Sequence, residues 1–250
     1  MAGYNAFSMF YDELTSNIDY AKRAQYFDEL IKMYGGKKGI LLDLCCGTGS
    51  LSQQFAMLGY DVIATDASMQ MLNIALDKKA NNGLNIQYLC QDMRKLDMFG
   101  TIDVTICALD SLNHLPSIDD VKKVFERVYL FCEPDGLFIF DVNTIFKHKN
   151  ILGNNIYTYD MKNVFCVWEN TYIAEKKRTD IDLNIFAKDG NCYQRYIESF
   201  SEHAFELDAI LEALKQVGFE LCAVYDYDSF NPVRNDSEKA VFITKKPSTL

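Results

Sequence analysis

The sequence predicts an α/β fold, a doubly wound, mostly parallel seven-stranded sheet with an antiparallel β insertion after the fifth strand. Three observations predict it. Short apolar runs alternate with amphipathic helical segments between residues 40 and 142. A Gly-x-Gly turn, Gly47-Thr48-Gly49, follows the first of those runs. From about 154 to 203 the pattern changes to strands without helices, and then the α/β rhythm returns.

The elements follow in order. Tyr20, Ala24, Phe27, Leu30 and Ile31 share one helical face over 19–34, and Gly35-Gly36 stops that helix. Ile40 to Leu44 is a strand apolar on both faces, as strands buried under helices are. A helix over about 50–58, a strand at 61–66, a helix at 68–80 and strands at 85–90 and 102–108 come next. Pro116-Ser117 opens a helix over 117–132, Pro134-Asp135-Gly136 closes it, and Leu137 to Val142 is a buried strand. In the insertion, Asn163–Ile173 is aromatic and β-branched, and Ile181, Leu183 and Ile185 alternate onto one face. Lys188-Asp189-Gly190-Asn191 predicts a hairpin turn, because Asp-Gly supplies the positive φ it needs. A helix at 206–217, stopped by Gly218, and strands at 219–227 and 239–246 finish the chain as an antiparallel hairpin at the sheet edge. The division is therefore 1–150 with 204–250 as one domain, and 151–203 as the inserted layer on the substrate side.

Composition narrows the function. The 250 residues carry a formal net charge of −10, and the basic clusters are short, such as Lys176-Lys177-Arg178 and Lys245-Lys246, which argues against a nucleic-acid backbone as partner. Eight cysteines without a Cys-x-x-Cys pair argue against zinc and disulfide frameworks, so no metal site is expected. No leader-like segment and no membrane-length apolar run is seen, and a cytoplasmic location is expected. Oligomeric state is not legible.

In an open parallel sheet, ligands bind beyond the carboxyl ends of the strands. The first strand ends at Asp43 and runs into Gly47-Thr48-Gly49, where glycines let backbone approach a bulky ligand. The second ends in Asp66, placed to accept from ribose hydroxyls. The third ends in Gln91-Asp92-Met93, a second carboxylate at the same rim and placed to accept from an adenine amino group. The fourth ends in the polar segment Leu109 to His114. Together these features favour a nucleoside site over solvated strand ends.

Asp43-Leu44-Cys45-Cys46-Gly47-Thr48-Gly49 resembles the first motif of class I S-adenosylmethionine-dependent methyltransferases. Asp66-Ala67-Ser68-Met69-Gln70-Met71 is similar to their ribose and adenine segment, and Gln91-Asp92-Met93 to their adenine-end motif. Tyr4 to Asp12 resembles the N-terminal segment of a subgroup that includes amino-sugar N-methyltransferases and carries an antiparallel insertion after the fifth strand. The resemblance implies S-adenosylmethionine as cofactor. It implies contacts from Tyr11, Tyr20, Asp43, Gly47, Thr48, Gly49, Asp66, Ala67, Met71, Gln91, Asp92, Met93 and Leu109. It also implies a small-molecule methyl acceptor and catalytic roles for His114 and Tyr4, while the aromatic Tyr4, Phe7, Phe10, Tyr11 and Tyr20 mark residues 1–20 as an expected N-terminal lid that closes the site from water. Cys45 departs from the family, which has Gly or Ala there.

A nicotinamide-binding chain would also show Gly-x-Gly, but normally with a third glycine where this chain has Ser52. An RNA methyltransferase and a non-catalytic S-adenosylmethionine-binding module are the remaining alternatives. The favoured chemistry is in-line displacement of an already activated methyl, with transfer to nitrogen or oxygen. Positioning supplies about 7–11 kcal/mol of the barrier, and a base helps only if the acceptor arrives protonated.

Overall fold

The computed structural model describes residues 5–248. Its main sheet has seven strands. They are β1 (Ile40–Leu44), β2 (Asp61–Asp66), β3 (Ile86–Cys90), β4 (Ile102–Cys107), β5 (Cys132–Asn143), β10 (Glu220–Asp226) and β11 (Lys239–Lys245), in the order β10-β11-β5-β4-β1-β2-β3. β1 pairs parallel with β2 and β4, so the chain reverses direction of travel across the sheet at β1/β4. That reversal is the switch point at which a crevice opens. β11 is antiparallel to both β5 and β10 and lies between them. The expected terminal hairpin is thus present, with its second strand inside the sheet and its first at the edge.

The helices are α1 (Asn5–Leu14), α2 (Tyr20–Met33), α3 (Ser50–Met57), α4 (Met69–Asn82), α5 (Ile118–Phe131) and α6 (Leu207–Val217). Local chemistry fixes their ends. The Asp19, Ser68 and Ser117 side chains accept from backbone N–H groups in the first turns of α2, α4 and α5. Gly83 and Gly218 end α4 and α6 in the left-handed region. One apolar cluster packs α5 and α6 on one face of the sheet, and a second packs α2 and α3 on the other. Burial on both faces is why the central strands read as continuous apolar runs.

The insertion is a second sheet of four antiparallel strands, β6 (Ile156–Asp160), β7 (Val164–Ile173), β8 (Arg178–Asp189) and β9 (Cys192–His203). Gly190, at φ 59°, turns β8 into β9. Ile181, Leu183 and Ile185 point to one face, where they meet Phe7 and Leu14 of α1 in a third apolar cluster. Two features escaped the periodicity. A π-helical turn, Lys147–Leu152, joins β5 to the second sheet, and α1 is a regular helix. Among the described residues, no helix is long and apolar enough to cross a membrane.

Candidate active site

The carboxyl ends of β1, β2 and β4, the helix α1, and one face of the second sheet enclose a single cavity of about 830 Å³. This is within the usual range for small-molecule sites.

The first wall is the turn after β1. Cys45 sits at φ 65°, Gly47 at 55° and Gly49 at 72°. A left-handed Cys45 costs about 1–2 kcal/mol relative to glycine. Above Gly47 nothing lies within 4 Å of where a Cβ would stand, so bare backbone faces the cavity. Gly49 differs. A Cβ there would fall on the Tyr88 hydroxyl and come within 3.0 Å of the Ala75 Cβ, so its demand is packing of the turn on β3 and α4. Asp43 is buried, accepts from Ser52 Oγ at 2.5 Å, and is pushed up to about 7 by burial against the lowering effect of Ser52. The serine that replaces a third glycine therefore holds this carboxyl.

The second wall is the end of β2. Asp66 Oδ2 accepts from Gly47 N at 2.9 Å, and Oδ1 from Ser68 N at 2.8 Å. Each oxygen keeps a further lone pair. Burial raises its pKa, while those backbone donors oppose the rise. Ala67, Met71 and Met93 line the same end. Gln91 and Asp92 do not line the cavity. The Gln91 amide is engaged by the backbone of Asp97, at 2.9 and 2.8 Å, and Asp92 is engaged by Arg94, with Nε at 3.0 Å and Nη2 at 2.5 Å.

The third wall is the end of β4. Leu109 and Asp110 have φ values of 59° and 54°, and their N–H groups donate to the fully buried Asp141 at 3.0 and 2.6 Å. Lys239 Nζ lies 2.5 Å from Asp110 and 3.8 Å from Asp141, and burial opposes what these anions do to raise its pKa. His114 lines the cavity with its ring centroid 5.6 Å from that of Phe200. Burial lowers its pKa, although Asp110 and Asp66 pull it up, so the imidazole is neutral at pH 7.

The roof is α1. Asp12 accepts from Thr48 Oγ1 at 2.6 Å and Ser50 Oγ at 3.1 Å, and pairs with Lys78 at 2.5 Å. On the other side Glu13 accepts from Asn163 N at 3.0 Å, and Phe7 packs on Trp168 and Phe200. The helix thus bridges the glycine turn and the second sheet. Tyr11 and Tyr20 line the cavity beneath it. Tyr4 lies outside the described residues.

Sequence reasoning missed Arg23, Lys239 and Glu202. Arg23 lines the cavity with its guanidinium 4.6 Å from the Tyr227 ring centre, and its buried Nε and Nη1 have no partner. The features suit S-adenosylmethionine. Asp66 suits a ribose diol, the thioethers of Met71 and Met93 a purine, and bare backbone at Gly47 together with Nε and Nη1 of Arg23 an amino-acid tail.

Comparison with known proteins agrees. Residues 41–136 match the model of a methyltransferase domain. The chain is similar to YqeM of Bacillus subtilis, a methyltransferase by its name, with 30% identity over 99% of this chain and 98% of that one. It is also similar to a solved S-adenosylmethionine-dependent methyltransferase from Clostridium acetobutylicum, with 31% identity, 98% and 99% coverage, and a TM-score of 0.88. The sugar N-methyltransferase KedS8 of Streptoalloteichus shares the fold at 17% identity, with 97% and 93% coverage and a TM-score of 0.80.

Proposed function

The chain belongs to the S-adenosylmethionine-dependent methyltransferases, and from that premise we propose that it methylates a nitrogen or oxygen of a small molecule by in-line displacement. The observation that carries this reading is the single cavity, which runs from the strand-end rim to Trp168, Phe200 and Glu202 of the second sheet beneath α1. An acceptor there is walled by aromatic and ionisable side chains. A polynucleotide needs an open basic groove, and the net charge of −10 supports a small acceptor instead.

When bound, S-adenosylmethionine supplies an electrophilic methyl on sulfonium sulfur. In this reading Asp66 accepts from the ribose hydroxyls, and Ala67, Met71 and Met93 face the adenine. Gln91 and Asp92 act at the adenine end through the turn that follows β3. Asp43, Gly47, Thr48, Leu109, Tyr11 and Tyr20 surround the methionine portion, and Gly49 keeps the turn in place. His114 takes the acceptor's proton, and Tyr4 orients the acceptor. Residues 1–20 open and close as a lid, and 151–203 form the substrate-side layer on a domain built from 1–150 and 204–250. A cytoplasmic location fits eight free thiols.

Labelled S-adenosylmethionine incubated with the protein tests this reading against two pools, bulk RNA and a deproteinised small-molecule extract. Label in the small-molecule pool is expected. Label in RNA alone selects an RNA methyltransferase, and donor binding without transfer selects a binding module.

A further inference from the structure

Strand alternation puts Tyr196, Glu198, Phe200 and Glu202 on one face of β9. The first carboxylate of this face is committed to the roof, since Glu198 Oε1 accepts from Phe7 N at 2.9 Å. Phe200 packs against Phe7, Trp168 and the His114 ring. Glu202 comes one pleat later, is 6% exposed and lines the cavity, with Oε1 4.0 Å from His114 Nε2. A buried carboxyl is costly unless something requires it. Here Lys239, Lys147 and Asn143 are the groups that offset that cost, and they do so only in part.

Its position is fixed by a buried clamp. Asn113 Nδ2 donates to His203 O at 2.8 Å and Asn143 O at 3.2 Å, and Oδ1 accepts from Asn143 N at 2.9 Å. The rim after β4, the end of β5 and the end of β9 are thereby joined within one residue of both His114 and Glu202.

We propose that His114 and Glu202 form a proton relay across the two sheets, with Glu202 the final holder of the proton that the methyl acceptor loses. The inference rests on the small-molecule methyl-transfer reading and adds the route by which the proton leaves. A protonated amine acceptor gives its proton to His114 Nδ1. As that N–H bond forms, the Nε2–H bond breaks and its proton passes to Glu202 Oε1. The imidazole ends neutral in its other tautomer, and the carboxylate ends as an acid. The freed nitrogen lone pair forms the new N–CH3 bond as the donor's C–S bond breaks, with that electron pair staying on sulfur. The 4.0 Å gap must tighten to hydrogen-bond length when the acceptor binds, as catalytic contacts commonly do.

The surroundings order the two basicities to suit. Burial first, then the charge of Asp110, push Glu202 up to about 8, while Lys239, Lys147 and Asn143 draw it down less strongly. Burial pushes His114 below its ordinary value. Lys239 is held by Asp110 and Asp141, and burial and Lys239 lower the Lys147 pKa. The carboxylate is therefore the stronger base of the pair, and the relay runs downhill toward it.

The first test needs no acceptor. Protein labelled with ring-15N histidine has three such side chains, and His114→Asn assigns one of them. In wild type the His114 nitrogen shifts are expected to move near pH 8, as Glu202 ionises and draws a proton to Nε2. Glu202→Gln is expected to abolish that movement. A flat wild-type response, or the same response in Glu202→Gln, overturns the relay. The second test follows transfer from labelled S-adenosylmethionine to the small-molecule extract between pH 6 and 9.5. Wild type is expected to speed up through about pH 8. Glu202→Gln is expected to be at least tenfold slower without that rise, with Glu202→Asp partly restored and donor affinity unchanged. A Gln variant with the wild-type profile overturns the relay alone. Wild type transferring nothing overturns the function reading and the relay with it.

Discussion

Replacing Asp66 tests the donor site directly. Its two oxygens already hold the Gly47 and Ser68 N–H groups at 2.9 and 2.8 Å, so it shapes the glycine turn and starts α4. The remaining lone pairs are assigned to the ribose. Hydrogen bonds to a charged group are worth about 1.5–3 kcal/mol, and two at the low end make about 3 kcal/mol. At 1.4 kcal/mol per tenfold, Asp66→Ala should weaken S-adenosylmethionine binding about 10²-fold. Asp66→Asn keeps one acceptor oxygen and should lose only about tenfold. Both variants also disturb the two backbone bonds, so ligand-free melting must be recorded beside titration calorimetry. A chain of this size moves about 2–4 °C per kcal/mol. If Asp66→Ala melts lower yet binds the donor within about threefold of wild type, the carboxylate has only its structural role.

Gly49→Ala should destabilise by more than the ~1 kcal/mol of its left-handed backbone, because the new Cβ meets Tyr88. Adding Tyr88→Phe should recover part of the loss in denaturant unfolding, since that hydroxyl is buried without a partner, and no recovery refutes the packing account. Asp12→Ala removes the latch from α1 to Thr48, Ser50 and Lys78. A half-exposed latch contributes ~1 kcal/mol or less to stability, so melting should barely change while donor dissociation quickens in stopped flow. An unchanged off-rate argues against a lid. Asp43 has a folded-state pKa near 7, above its ordinary 3.8, so the folded state binds more protons in that interval and stability falls as pH rises through it. Asp43→Asn should flatten the decline in unfolding free energy between pH 4 and 8, and an unaltered slope contradicts the assignment.

The glycine turn, Asp66 and the segment ending in His114 were legible because each sits where a strand stops, and strand ends are marked by local periodicity. The fates of Gln91 and Asp92 were less so. A three-residue turn, Met93–Lys95, sets which way their side chains leave the strand, and Asp97 and Arg94 then claim them. Alternation alone puts Glu202 on the same face as Phe200, so that face could have been flagged. What the face meets was not readable.

The sequence by itself determined the order of helices and strands, the switch from a parallel to an antiparallel layer, and the place of Asp66 at the mouth of the crevice. These follow from repeats of 2 and 3.6 residues and from glycines at positive φ, all interactions within a few residues. Only the tertiary structure decided that β11 lies inside the sheet, that α1 bridges Thr48 and Asn163, and that Glu202 stands opposite His114 beside Lys239. Burial, pairing and basicity depend on the distance between charges and on how much water remains around them. Both are set when two sheets far apart in sequence dock, and no local pattern records them.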